Sequence, residues 1–271
     1  MVKRALALSP NVSHFAPLFF SGALEKGITA AKSLGYDGVE ISVGNPADLD
    51  SRKIKAMVSD NGLEIVTLGT GQSYVDEGLP LVTNDAVLLN KTLERLKKVI
   101  DFAAEAGSRN VTLGGIRAKI TYATHDEMVK RLVEPLKICA GHALECGVGI
   151  LLEPVNRYEV STIFRLEQAY GLMKEAACDN ISLLYDVFHA NIEETSITAP
   201  IVKYAKELGG VHFADSNRLV PFNGHIPFFD IARCLDAVSY SGYVTIEALP
   251  GPDDFIAAKQ AIEAFNTLFE R

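Results

Sequence analysis

Eight apolar, β-prone runs alternate with eight stretches of helical periodicity along the 271 residues, which predicts a (β/α)8 TIM barrel of the α/β class, one domain over residues 1–271. Two further observations favour that architecture. Most runs are continuous rather than alternating, as in parallel strands covered on both faces. The connections after the runs include the long ones, 70–84, 115–125 and 214–227, whereas those leading into the runs are short and often end in glycine. That asymmetry puts function on the face built by the loops that follow the strands. An open doubly wound sheet would want a glycine-rich phosphate turn after its first strand. Here that turn is SPNVSH, and Gly69-Thr70-Gly71 follows the third run without a third glycine.

The strands are expected at about 5–9, 38–42, 64–69, 109–115, 148–155, 181–187, 209–215 and 242–248. The clearest helix covers 85–106, where Leu88, Leu89, Leu93, Leu96, Val99, Ile100 and Ala103 form one stripe. Asn84 or Asp85 caps its start and Gly107 ends it. Segments 22–35, 50–61, 126–146, 165–177, 196–208, 228–240 and 253–270 follow the same logic, several ending at Gly35, Gly62, Gly147, Gly209 and Gly242. No linker rich in Pro, Gly or Ser divides the chain.

Composition bounds the function. Hydrophobic residues at 48% with 22% charged suit a globular protein with a sizeable core. A net charge of −8 with scattered basic residues argues against a nucleic-acid partner. The first apolar stretch is interrupted by Ser9, Pro10 and Asn11, too soon for a secretory segment, and no later run approaches the roughly 20 residues of a membrane span. Cys139, Cys146, Cys178 and Cys234 show no CxxC pairing and read as structural thiols of a reducing compartment. A cytoplasmic location, without a membrane partner, is the expectation.

Four residues end four consecutive apolar runs: Glu153 in GILLEPV, Asp186 in SLLYDV, His212 in GGVHFAD and Glu247 in YVTIEAL. They lie 33, 26 and 35 residues apart, about one strand-plus-helix unit each time. If each points inward, three carboxylates and one imidazole meet at one end of the barrel. That donor set suits Mn²⁺, with Mg²⁺ or Co²⁺ as alternatives, better than a structural zinc. Two glutamates facing each other also suit removing a proton from a carbon beside a carbonyl. Asn156, Arg157 and Glu159 crowd the loop after Glu153, and His189 follows Asp186 by three residues. Arg218, in the loop after His212, is placed to hold a substrate oxygen, while Arg157 reads as a salt-bridged structural arginine.

The stretches LLEPVNRYE, YDVFHANIEE, VHFADSNRLVPFNGH and TIEALP, in this order and spacing, resemble the xylose isomerase-like barrels, and within them the ketose 3-epimerases typified by D-tagatose 3-epimerase. The resemblance implies that Glu153, Asp186, His212 and Glu247 hold a divalent metal. Glu153 and Glu247 double as catalytic acid and base through a cis-enediolate, and Glu159, His189 and Arg218 contact the substrate. It implies a small ketose as substrate and a homodimer or homotetramer. VEISVGNPADLD and LGTGQSYVDEGLPLVTND are similar to a branch that includes a 5-keto-L-gluconate epimerase, which acts on keto-sugar acids. Arg117, in the loop after the fourth strand, pairs with such a substrate carboxylate or is a surface arginine; the sequence leaves both open. The alternatives are a hydroxypyruvate or other aldose–ketose isomerase, which shares the enediolate, and a non-catalytic sugar-binding barrel. The latter has no need of a second glutamate across the cavity.

Overall fold

The computed structural model describes residues 2–269 and closes eight parallel strands into a barrel in sequence order. The strands are β1 (Lys3–Leu8), β2 (Gly38–Ser42), β3 (Glu64–Gly69), β4 (Asn110–Leu113), β5 (Gly149–Leu152), β6 (Ile181–Asp186), β7 (Leu208–Phe213) and β8 (Tyr243–Ile246), and β8 returns to pair with β1. The helices are α1 (Leu24–Leu34), α2 (Ser51–Asp60), α3 (Gly71–Val75), α4 (Ala86–Ala106), α5 (His125–Glu145), α6 (Leu166–Ala176), α7 (Val187–Glu193), α8 (Ala199–Lys203), α9 (Phe228–Ala237) and α10 (Asp254–Phe269). The expected barrel is therefore the one observed. Among the described residues no helix is long and apolar enough to cross a membrane.

Local chemistry sets the helix ends. Asp85 accepts hydrogen bonds from the Val87 and Leu88 amides at the start of α4, and Gly107, at φ 79°, closes it in the left-handed conformation that costs glycine least. Thr124 and Glu127 form a reciprocal capping box at the start of α5. The buried stripe of α4 includes Leu93, Leu96, Val99, Ile100 and Ala103, as its periodicity predicts, whereas Leu88 and Leu89 stay outside the fully buried set. Cutting Leu96 back to alanine would cost about 2–5 kcal/mol.

Apolar side chains form two layers. A large cluster lies between strands and helices and takes in Val39, Ile41, Val111, Leu113, Val211 and Phe213. A small one, Ala5, Val66 and Tyr243, plugs the barrel floor. The polar mouth at the opposite end of the strands is where the site lies.

Three expectations are corrected. Segment 196–208 is not one helix but the short α8, with Pro200 in its first turn. The helix proper after β6 is α7, which starts at once because the Asp186 carboxylate accepts from the Phe188 amide and turns the chain. Gly209 is not a helix end either: it lies within β7, skipped by a register shift against β6, and a side chain there would press on Leu151 and Ser182. The long connection 70–84 contains α3. The last helix was expected to reach residue 270, which lies outside the described residues.

Candidate active site

Glu153 and Glu247 directly follow β5 and β8, Asp186 ends β6, and His212 sits one residue before the end of β7. All four are buried, and each presents one donor atom such that all lie within 4.8 Å of one another. His212 explains the convergence. Its Nε2 is 2.9 Å from the buried Glu40 carboxylate of β2, and its Nδ1 is 3.7 Å from both Glu153 Oε1 and Glu247 Oε2. That Nδ1 is buried with no hydrogen-bond partner. An orphaned imidazole nitrogen facing three carboxylates fits a divalent cation, since otherwise its desolvation goes uncompensated. With Nε2–H donated to Glu40, Nδ1 keeps a free lone pair for the ion.

Glu40 was not singled out from the sequence. Its signal is the alternation in GVEIS: Val39 and Ile41 join the outer apolar layer, so Glu40 and Ser42 turn to the mouth. Gly114 is a second unrecognised contributor. A Cβ at this position would collide with Glu153 Oε2, so glycine is what lets the carboxylate lie against the end of β4.

The electrostatics are uneven. Burial, reinforced by the Glu247 charge, pushes Glu153 well above the usual carboxylate range. Burial acts on Glu247 in the same sense, but the neighbouring His212 and Arg218 outweigh it and hold Glu247 below that range. Asp186 is likewise buried yet held low by Arg218, His189 and His212. The Arg218 guanidinium donates to Asp186 Oδ2 at 3.0 Å and to Glu247 Oε2 at 2.5 Å, and lies 4.4 Å from the Phe188 ring centroid. Its backbone is left-handed, φ 63°, an uncommon state for a non-glycine residue and one often found at functional sites.

A second polar group lines the rim. Asn156 Oδ1 accepts from the Tyr158 amide, so its Nδ2 is the atom that reaches Glu159 Oε1 and His189 Nδ1, each at 2.8 Å. His189 must then accept at Nδ1 and carry its proton on Nε2, 3.6 Å from Asp186 Oδ2. Burial lowers the His189 pKa, which keeps the ring a neutral donor. Glu159 is half exposed at the entrance. Arg157 is the structural arginine expected, paired with buried Glu193 at 2.8 Å.

Arg117 fits neither of its expected roles. It is fully buried, so it is no surface residue, and its guanidinium donates to the backbone carbonyls of Leu113, Glu153, Thr162 and Ile163, leaving no fork for a substrate carboxylate. Burial pushes it down to about 10, still cationic at neutral pH. It braces the backbone behind Glu153.

A closed eight-stranded barrel whose mouth holds a Glu–Asp–His–Glu donor set defines a (β/α)8 protein with a candidate hard-cation centre. The profile of the xylose isomerase-like TIM barrel family matches residues 28–268, and the chain belongs to that family. It is 27% identical over 248 residues to an L-ribulose 3-epimerase of Mesorhizobium japonicum, covering 88% of this chain and 80% of that protein. Over 225 residues it is 26% identical to the 3-dehydro-D-guloside 4-epimerase of Escherichia coli, covering 80% and 83%. A solved structure of an L-ribulose 3-epimerase superposes with a TM-score of 0.87 at 24% identity, covering all of this chain and 95% of the other, which speaks for the fold.

Proposed function

We propose that this chain is a divalent-metal-dependent sugar epimerase that inverts the carbon beside the ketone of a ketose or keto-sugar acid. It is an isomerase of the epimerase class. The observation that carries the reading is the pair Glu153 and Glu247, each 3.7 Å from one unpartnered nitrogen of His212, with surroundings that push Glu153 up and Glu247 down in pKa. Named epimerases among the relatives support it.

Glu153, Asp186, His212 through Nδ1, and Glu247 would hold the ion, Mn²⁺ by preference with Mg²⁺ or Co²⁺ able to serve. When bound, the ion polarises the substrate ketone and acidifies the neighbouring C–H. The glutamate that enters ionised takes that proton from one face, and the one that enters protonated delivers a proton to the other. One base alone would return the proton to the side it came from. His189 Nε2–H and Arg218 donate to the enediolate oxygen where charge develops. Glu159 receives the substrate at the rim. Arg117 takes no part in recognition, so nothing in its placement favours an acid over a neutral sugar. On this proposal residues 1–271 form one domain and the protein is a cytoplasmic homodimer or homotetramer, checked by light scattering and cell fractionation.

The test is incubation of the Mn²⁺-loaded protein in D₂O with ketopentoses, ketohexoses and keto-hexonates. Deuterium beside the ketone in an epimeric product is expected, and Glu153→Gln or Glu247→Gln should abolish it with metal retained. An aldose as product would make the chain an aldose–ketose isomerase instead. A fully metallated glutamine variant turning over at near-normal rate would sink the two-glutamate scheme.

A further inference from the structure

Two groups of metal-ligating side chains occur among the described residues: the quartet at the mouth, and Asp101, His142 and Cys146 on the outside of the barrel. We propose that the second group is a separate site for a borderline divalent transition-metal ion of the Zn²⁺ type, held by Asp101 of α4 and by His142 and Cys146 at the end of α5.

His142 and Cys146 are four residues apart, hence on one helix face, with Cys146 as the C-cap of α5. Asp101 reaches them from the neighbouring helix. His142 Nε2 lies 2.7 Å from Asp101 Oδ1, Cys146 Sγ lies 3.5 Å from the same oxygen, and Sγ is 3.9 Å from Nε2. A nucleophilic relay would use the two imidazole nitrogens separately, one toward the acid and one toward the thiol. Here Nε2 faces both, so three donor atoms surround one point. Zinc bonded to oxygen, nitrogen and sulfur at its usual lengths separates neighbouring donors by about 3.3–3.6 Å. Side-chain shifts of well under roughly 1 Å therefore bring this triangle to one face of a tetrahedron. The fourth position opens to solvent, since Asp101 is 55% exposed and His142 25%.

The donor chemistry separates the two sites. Thiolate and imidazole favour Zn²⁺ or Co²⁺ over Mg²⁺ and Mn²⁺, whereas the carboxylate-rich mouth has the reverse bias. Burial and the adjacent Asp101 carboxylate push the Cys146 thiol above its ordinary range, so without an ion it is a protonated donor to Asp101. Binding replaces that proton: the S–H bond breaks, the metal–sulfur bond forms and one proton leaves to solvent. Cys146 is therefore not the purely structural thiol its sequence context suggests: its placement beside an imidazole and a carboxylate sets it apart from Cys139, which is buried.

The test is spectroscopic. The reduced full-length protein is first saturated with Mn²⁺ and then titrated with Co²⁺. A thiolate-to-cobalt charge-transfer band in the near ultraviolet is expected, saturating at one ion per chain and collapsing on addition of Zn²⁺. No residue of the mouth can produce that band, so its appearance is independent of whether the epimerase reading holds. Cys146→Ser should lack the band with turnover unchanged, and Asp101→Asn should weaken cobalt binding by about tenfold or more. Zn²⁺ should also shield Cys146 from alkylation by iodoacetamide. No band in the wild-type protein, or an equal band in Cys146→Ser, would overturn the proposal.

Discussion

Glu40 of β2 and His212 of β7 meet across the barrel mouth, carboxylate to Nε2 at 2.9 Å, and this contact leaves His212 Nδ1 aimed at Glu153 and Glu247. Glu40 is thus a positioning residue that fixes the tautomer and ring orientation of a candidate ligand. Supporting groups of this kind typically contribute 10–100-fold in metal affinity. Glu40→Leu should weaken Mn²⁺ binding by about that factor in calorimetry, while Glu40→Gln, which still offers an acceptor oxygen, should recover most of it. Equal affinities in all three proteins would show that His212 needs no such partner.

Gly114 offers a steric test of where Glu153 must sit. Alanine at this position would drive a methyl into Glu153 Oε2 and displace the carboxylate outward. Displacements near 1 Å at a reacting group cost about 10²-fold in rate. Gly114→Ala should therefore lower kcat by about that factor, with the denaturation midpoint nearly unchanged; steady-state kinetics beside urea titration separates the two effects.

How much of this was legible in the sequence depends on where a residue sits in its strand. Glu153, Asp186, His212 and Glu247 stand out because each ends or closely follows an apolar run, where polarity is unexpected. Glu40 sits inside such a run, and its role depends on a partner 172 residues away. Arg117 misleads for the opposite reason: a cation in a long loop suggests exposure, yet the 3₁₀ turn Gly115–Arg117 folds it inward against four carbonyls. Helix α7 escapes notice because Val187 and Phe188 extend the apolar pattern of β6 past the Asp186 cap.

If Arg117 is a brace, its loss acts on stability rather than recognition. Arg117→Met leaves the Glu153 carbonyl buried without its donor, at about 1–3 kcal/mol, while the Leu113 carbonyl keeps the Glu153 amide at 3.3 Å. Urea denaturation should show a loss of that order. The ratio of kcat/KM for a keto-sugar acid to that for the matching neutral ketose should stay unchanged. A selective fall for the acid would restore Arg117 to the binding site.

Asp76 ties the loop after β1 over the cavity. It accepts from Ser13 Oγ at 2.6 Å and the His14 amide at 2.9 Å, and the next residue, Phe15, lines the mouth beside Glu153 and His212. Burial works to raise the Asp76 pKa, but these hydrogen bonds outweigh it and hold the carboxyl below its ordinary range. A lowered folded-state pKa means the tether is fully present above the unfolded value of about 3.9 and is lost as pH falls through the lower folded value. Limited proteolysis within residues 10–20 should therefore stay flat from neutral pH to about pH 4 and rise only in stronger acid. Asp76→Ala removes the tether at every pH. It should raise KM by about tenfold, the roughly 1.4 kcal/mol of one charge-assisted hydrogen bond, with kcat changed little. A KM equal to wild type, together with unaltered cleavage, would mean that Phe15 is held by its packing beside Gly71 rather than by Asp76.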